Sequence, residues 1–187
     1  RGVSGLSGSE VFLEVAAHEY EVCYKCHADS LDSNPDRIPR QVTEASILRL
    51  FDPSNPSFHP VEAVGVNPDV PSLKSPWTTA SVLTCTECHA NDSAAGPKGP
   101  HGSRWDFLLR DRYETTSPTI ESSTAYALCY RCHDRNSILS DSSFREHSAH
   151  LEADSACSVC HAPHGIDAAQ GDATNHSHLI NFDLRYV

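Results

Sequence analysis

Every cysteine in the chain lies in a CxxC pair, and a histidine follows every pair. The pairs are CYKCH at 23–27, CTECH at 85–89, CYRCH at 129–133 and CSVCH at 157–161. Three chemistries compete for them. A disulfide framework leaves the histidines without a role. Zinc could be held at two four-thiolate sites, but zinc ribbons tolerate any residue after the second Cys. With 12 His in 187 residues, composition alone would place four out of four with a chance on the order of 10⁻⁵. Haem c needs the whole motif. Its two thiols add to the vinyl groups as thioethers, and the adjacent imidazole reaches the iron. The sequence therefore predicts four haem c. Cys23, Cys26, Cys85, Cys88, Cys129, Cys132, Cys157 and Cys160 are the attachment points, and His27, His89, His133 and His161 are the proximal ligands.

Composition fits this reading. Only 39% of residues are hydrophobic and 7% aromatic, thin for a core of this length. Porphyrins would act as the missing apolar bodies. The expected fold is mostly irregular, with little secondary structure and short α-helices, wrapped around a chain of four haems. A net charge of −11 argues against nucleic acid and against adhesion to an anionic membrane surface. No run of 18 apolar residues exists, so the chain is not expected to span a membrane. The opening RGVSGLSGSEVF has no apolar leader, and thioether attachment of haem calls for export. The expectation is a mature exported form.

Met is absent, which excludes Met/His ligation, and a second imidazole is expected on each iron. An internal repeat narrows the choice. The first half reads VCYKCH, SFHPV, LTCTECH, GPHGS; the second reads LCYRCH, SFREHSAHL, ACSVCH, APHGI. His59 then corresponds to His147 or His150, and His101 to His164. These five are the candidates for four distal positions. His18 is a further candidate, for a distal position or one shared between subunits. His176 and His178 have no counterpart in the repeat and read as surface residues. His164 lies three residues past His161, too near to reach the opposite face of the same porphyrin. It is expected to ligate a different haem.

Along the chain, residues 1–22 read as an N-terminal arm with a short helix, on the spacing of Val11, Val15 and Val22. Residues 23–102 form a first dihaem module, 103–124 a connector, 125–166 a second dihaem module and 167–187 a C-terminal tail, together one compact tetrahaem domain. The Pro-punctuated stretch from 53 to 76 cannot be regular helix. LINFDLRYV in the tail reads as extended and available for pairing.

SFHPV, the run CYRCH…FxxHxxH…CxxCHxPHG and the terminal LINFD together resemble the extracellular cytochrome nanowire family, the outer-membrane cytochrome E-like filaments. The resemblance implies a head-to-tail homopolymer with closely stacked haems, one axial His donated across the subunit boundary, and an extracellular or cell-surface location. It supports His59, His101, His147, His150 and His164 as ligands. The function expected is electron transfer through a conductive filament, with other redox proteins or extracellular acceptors as partners. A monomeric periplasmic shuttle is the alternative. An enzyme would need an open iron, and the surplus of histidine argues against one. A shuttle usually carries a lysine-rich docking patch, and this chain has only Lys25, Lys74 and Lys98.

Overall fold

The computed structural model describes residues 2–4, 11–28, 38–43, 46–96 and 99–187. Regular structure is sparse throughout, as the thin apolar content predicts. Strands β1 (Gly2–Ser4) and β2 (Val11–Leu13) pair antiparallel, with Val3 opposite Phe12. Helix α1 (Glu19–His27) follows, then α2 (Ile47–Leu50) and β3 (Ser57–Phe58). Later come α3 (Arg135–Leu139), α4 (His147–Glu152), α5 (Cys157–Cys160) and β4 (Gly165–Ile166). Among the described residues no helix is long and apolar enough to cross a membrane.

The helical spacing expected from Val11 onward is not realised. β-branched Val11 and aromatic Phe12 favour an extended chain, and both lie in β2. The helix begins only at Glu19. Its start is fixed by the Glu21 carboxylate, which accepts the backbone N–H groups of Ala17 (2.5 Å) and His18 (3.0 Å). Val15 and Val22 are 80% and 57% exposed, so they form no buried stripe. The rest of the arm, residues 1 and 5–10, lies outside the described residues.

The chain divides into two units that do not follow its order. One comprises Arg1–Pro68, Ala80–Thr84 and Cys160–Val187; the other comprises Asp69–Thr79 and Cys85–Val159. In the first unit, Tyr20, Tyr24, Leu48, Phe51, Phe58 and Ile166 are buried. Strands β3 and β4 pair antiparallel, Ser57 with Ile166 and Phe58 with Gly165. A Cβ on Gly165 would lie 1.8 Å from the Leu50 carbonyl oxygen. Close backbone approach thus explains this glycine of the PHG tripeptide.

Polar ties substitute for apolar mass. Buried Asn55 donates to the Arg49 (2.7 Å) and Leu50 (3.0 Å) carbonyls that end α2, and accepts from Ala168 N–H (2.9 Å). Asn181 exchanges two 2.9 Å bonds with the backbone of Val42, so its amide acts as a strand neighbour would. The tail pairs only at isolated bridges, Ile180 with His161 and Asp183 with Arg40. It is not extended throughout, because Leu179 ends a 3-10 turn and residues 184–186 turn back.

In the second unit Tyr126 is fully buried, with Leu109, Ala125, Leu151, Ala156 and Val159 also buried. Asp134 caps α3 through Ser137 N–H at 3.0 Å. Asp141 holds Ser148 of α4 by its backbone N–H (2.8 Å) and its hydroxyl (2.6 Å).

Candidate haem sites

Each CxxCH contains a helical turn. The first occupies the end of α1, the last begins in α5, and Cys85–Glu87 and Cys129–Arg131 are 3-10 turns. The His89 and His133 N–H groups donate to the carbonyls of Cys85 (2.8 Å) and Cys129 (3.0 Å). A helical turn sets residues three apart on one side, so each pair of thiols faces the same way. None of the eight cysteines forms a disulfide. Burial pushes the Cys88 thiol up to about 11, and pushes Cys129, Cys132 and Cys160 up as well. A redox-active dithiol needs the opposite shift, toward thiolate. Among the described residues, no three His, Cys, Asp or Glu side chains converge as a metal-ion cage. The residues present fit haem c: paired thiols on one side and an imidazole one residue on.

One backbone device, here called a clasp, holds His89, His133 and His161. Leu109, Leu73 and Ile180 respectively form an isolated β-bridge with them. The residue after each bridge donates its N–H to the carbonyl of the motif's second cysteine: Arg110 to Cys88 (2.9 Å), Lys74 to Cys132 (3.0 Å) and Asn181 to Cys160 (2.8 Å). A turn precedes each bridge. Leu109 N–H donates to Asp106, Leu73 to Val70 and Ile180 to Ser177, at 3.3, 3.1 and 3.1 Å.

The same segments face the imidazole edges. His89 Nδ1 lies 2.9 Å from the Phe107 carbonyl oxygen, and His161 Nδ1 lies 3.0 Å from that of His178. His133 Nδ1 lies 2.8 Å from the Ser72 hydroxyl. A carbonyl can only accept, so the proton sits on Nδ1 and the ring lone pair on Nε2, the nitrogen available to an iron. Phe107 and Leu108 (φ 56° and 55°) and His178 and Leu179 (φ 54° and 64°) are all left-handed. That uncommon conformation swings the two carbonyls toward the rings.

His176 and His178 therefore do not read as surface residues outside the repeat. HSHLIN at 176–181 folds as WDFLLR at 105–110 does. His178 supplies the clasp carbonyl, and His176 is only 6% exposed, its Nδ1 accepting Asp172 N–H at 3.1 Å. The two segments share conformation and little residue identity, so a letter comparison passes over them.

The distal candidates fall into groups. In the first unit, His59 and His164 are backbone neighbours where β3 meets β4: His59 N–H donates to the His164 carbonyl at 2.8 Å. His59 Nδ1 is held by the Pro163 carbonyl, and burial pushes its imidazole down, toward the neutral form. The His164 ring stands edge-on to Phe51 at 5.4 Å. In the second unit, His147 and His150 share one side of α4, and His150 Nδ1 meets the Glu146 carbonyl at 2.6 Å. His101 lies in an exposed turn of the same unit. His18, at the start of α1, is exposed and stacks on Tyr20 with ring centroids 5.3 Å apart. SFH from the first half of the chain thus pairs with PHG from the second half, an exchange that the order of the repeat does not announce.

No curated protein and no solved structure matches the chain. A family model described as outer membrane cytochrome MtrC/MtrF-like, domains II/IV, matches residues 7–171. That span takes in all four CxxCH motifs and the five distal candidates of the repeat. The chain belongs to the MtrC/MtrF-like outer membrane cytochromes, multihaem c-type cytochromes that transfer electrons.

Proposed function

We propose that this chain is an exported tetrahaem electron carrier with bis-histidine irons and no substrate site. The clasp carries the reading: it holds the imidazoles of three CxxCH motifs by Nδ1, and fixes the tautomer at the two that face a carbonyl, His89 and His161. Bound haem c supplies one-electron iron chemistry. The chain's own residues anchor it by paired thiols, orient the proximal rings and exclude water. Four of the five histidines His59, His101, His147, His150 and His164 supply the distal ligands. His161 and His164 then engage two different haems from one short segment. With every sixth position filled, there is no place for a substrate on iron, and the protein works as a carrier rather than an enzyme.

In its finer form the proposal is a homopolymer at the cell surface, handing electrons to redox partners or extracellular acceptors. Exposed Phe182, Leu184, Tyr186 and Val187 in the tail favour an apolar contact with another copy. The charge of −11 opposes it and demands close packing. Intact mass and a haem assay should give four haems per chain, and a high-spin band in the electronic spectrum would sink full bis-histidine ligation. Negative-stain microscopy should show fibres. Monodisperse particles at micromolar concentration would return the protein to the periplasmic-shuttle reading.

A further inference from the structure

The three clasps differ at one place. Aligned on the bridging residue, they read Asp106-Phe107-Leu108-Leu109-Arg110, Ser177-His178-Leu179-Ile180-Asn181 and Val70-Pro71-Ser72-Leu73-Lys74. In the first two, the oxygen on Nδ1 is the carbonyl of the residue two before the bridge, and that residue is left-handed. In the third, that residue is Pro71. A proline ring locks φ near −65°, so Pro71 cannot adopt the φ of about +55° seen at Phe107 and His178. The carbonyl route is closed. The next side chain fills the gap: Ser72 Oγ stands 2.8 Å from His133 Nδ1. Ser72 is 7% exposed, and its own carbonyl is pinned by Asp134 N–H at 2.6 Å.

We propose that Ser72 sets the reduction potential of the haem attached at Cys129 and Cys132, as the hydroxyl counterpart of the carbonyls that face His89 and His161. The assignment rests on the haem reading above. A peptide carbonyl is a stronger acceptor than a hydroxyl. The stronger the pull on the Nδ1 proton, the more electron-rich the imidazole and the better it stabilises ferric iron. Carbonyl clasps therefore hold two haems at lower potential, and the hydroxyl clasp leaves the His133 haem easier to reduce. Ser72 is itself buried, which limits competition from water at the His133 contact. Proline and serine at 71 and 72 thus make an electron resting point within a repeated scaffold.

Three variants test this: Ser72→Ala, Ser72→Asp and Ser72→Thr. Intact mass comes first and should show four haems in each. Spectroelectrochemical titration should then show one potential of the four raised in S72A, with a change of about tenfold in that haem's reduced-to-oxidised ratio, or about 59 mV for one electron. S72D should lower the same potential, because a carboxylate is the stronger acceptor, and S72T should leave it in place. A merely structural Ser72 would change the denaturation midpoint without moving one potential in opposite directions. If S72A does not fold, S72D and S72T decide between these outcomes. Four retained haems with unmoved potentials in S72A and S72D, or in S72D alone should S72A not fold, would overturn the Ser72 assignment. A wild-type protein lacking haem at Cys129 and Cys132 would overturn the haem reading beneath it, a failure that the mass measurement separates from the first.

Discussion

The first and third CxxCH motifs are copies of one sequence, Tyr-x-x-Cys-Tyr-x-Cys-His, at 20–27 and 126–133. In both, the tyrosine inside the CxxC donates its hydroxyl to a glutamate: Tyr24 to Glu62 at 2.6 Å, Tyr130 to Glu121 at 2.8 Å. The carboxyls nevertheless behave oppositely. Burial pushes Glu62 up to about 7, the Tyr24 bond opposing and Asp52 adding to it. Its second oxygen is buried with no hydrogen-bond partner, as suits a protonated carboxyl. Burial pushes Glu121 up too, but Arg135 and Tyr130 outweigh it and hold the carboxyl below its usual range. Arg135 reaches both carboxylate oxygens, by Nε at 2.9 Å and by Nη2. One motif, given two different neighbours, yields a carboxyl that titrates near neutrality and one that stays ionised. The cation makes the difference, because a buried carboxylate without one is better protonated.

The pH dependences follow with opposite signs. Glu62 binds its proton more tightly when folded, so its contribution to stability is full below about 4.5 and is lost as pH rises through about 7. Glu121 contributes above about 4.5, and its share is lost as pH falls through its depressed folded value.

Removing the cation should break the contrast most. Arg135→Leu leaves Glu121 half-buried beside apolar carbon and should cost about 2–3 kcal/mol in denaturant unfolding at pH 7. It should also give Glu121 the rising-pH penalty of Glu62. A loss under about 0.5 kcal/mol would mean that the pair is a solvated surface contact. Next in size is Glu62→Gln. Wild-type stability should fall by about 1 kcal/mol between pH 5 and pH 8, after allowance for partial solvent screening, and the variant should be flat across that window. Thermal melts at the two pH values decide it; an unchanged slope assigns the titration elsewhere. Smallest are the hydroxyl deletions. Tyr24→Phe and Tyr130→Phe should each cost about 0.5–1.5 kcal/mol. Only Tyr24→Phe should move the neutral-pH transition, upward, because Arg135 still holds Glu121. Equal pH responses in the two variants would erase the comparison.

How far the letters carry is clear from particular residues. The CxxCH spacing is local, and the expectation of haem c follows from it without a fold. The Pro-punctuated stretch from 53 to 76 forms only the two-residue β3, as expected. PHG was visible as a repeat, but the need for Gly165 comes from the Leu50 carbonyl, more than a hundred residues away in the chain. The clasps were not visible at all. Two of them share a left-handed backbone rather than residues, and the third comes from 60 residues upstream of the histidine it holds. Ser72 in PSLK carries no signal until His133 stands beside it.

The sequence by itself showed the four CxxCH motifs, the lack of methionine and the thin apolar content that goes with the scarcity of helix and strand. These depend on residue type and on spacing within a few positions. Tertiary structure decided which oxygen faces each ring nitrogen, which histidines stand together and which glutamate meets an arginine. Those outcomes depend on contacts between segments distant in the chain, and on backbone angles that different residues can share and that a single proline can forbid.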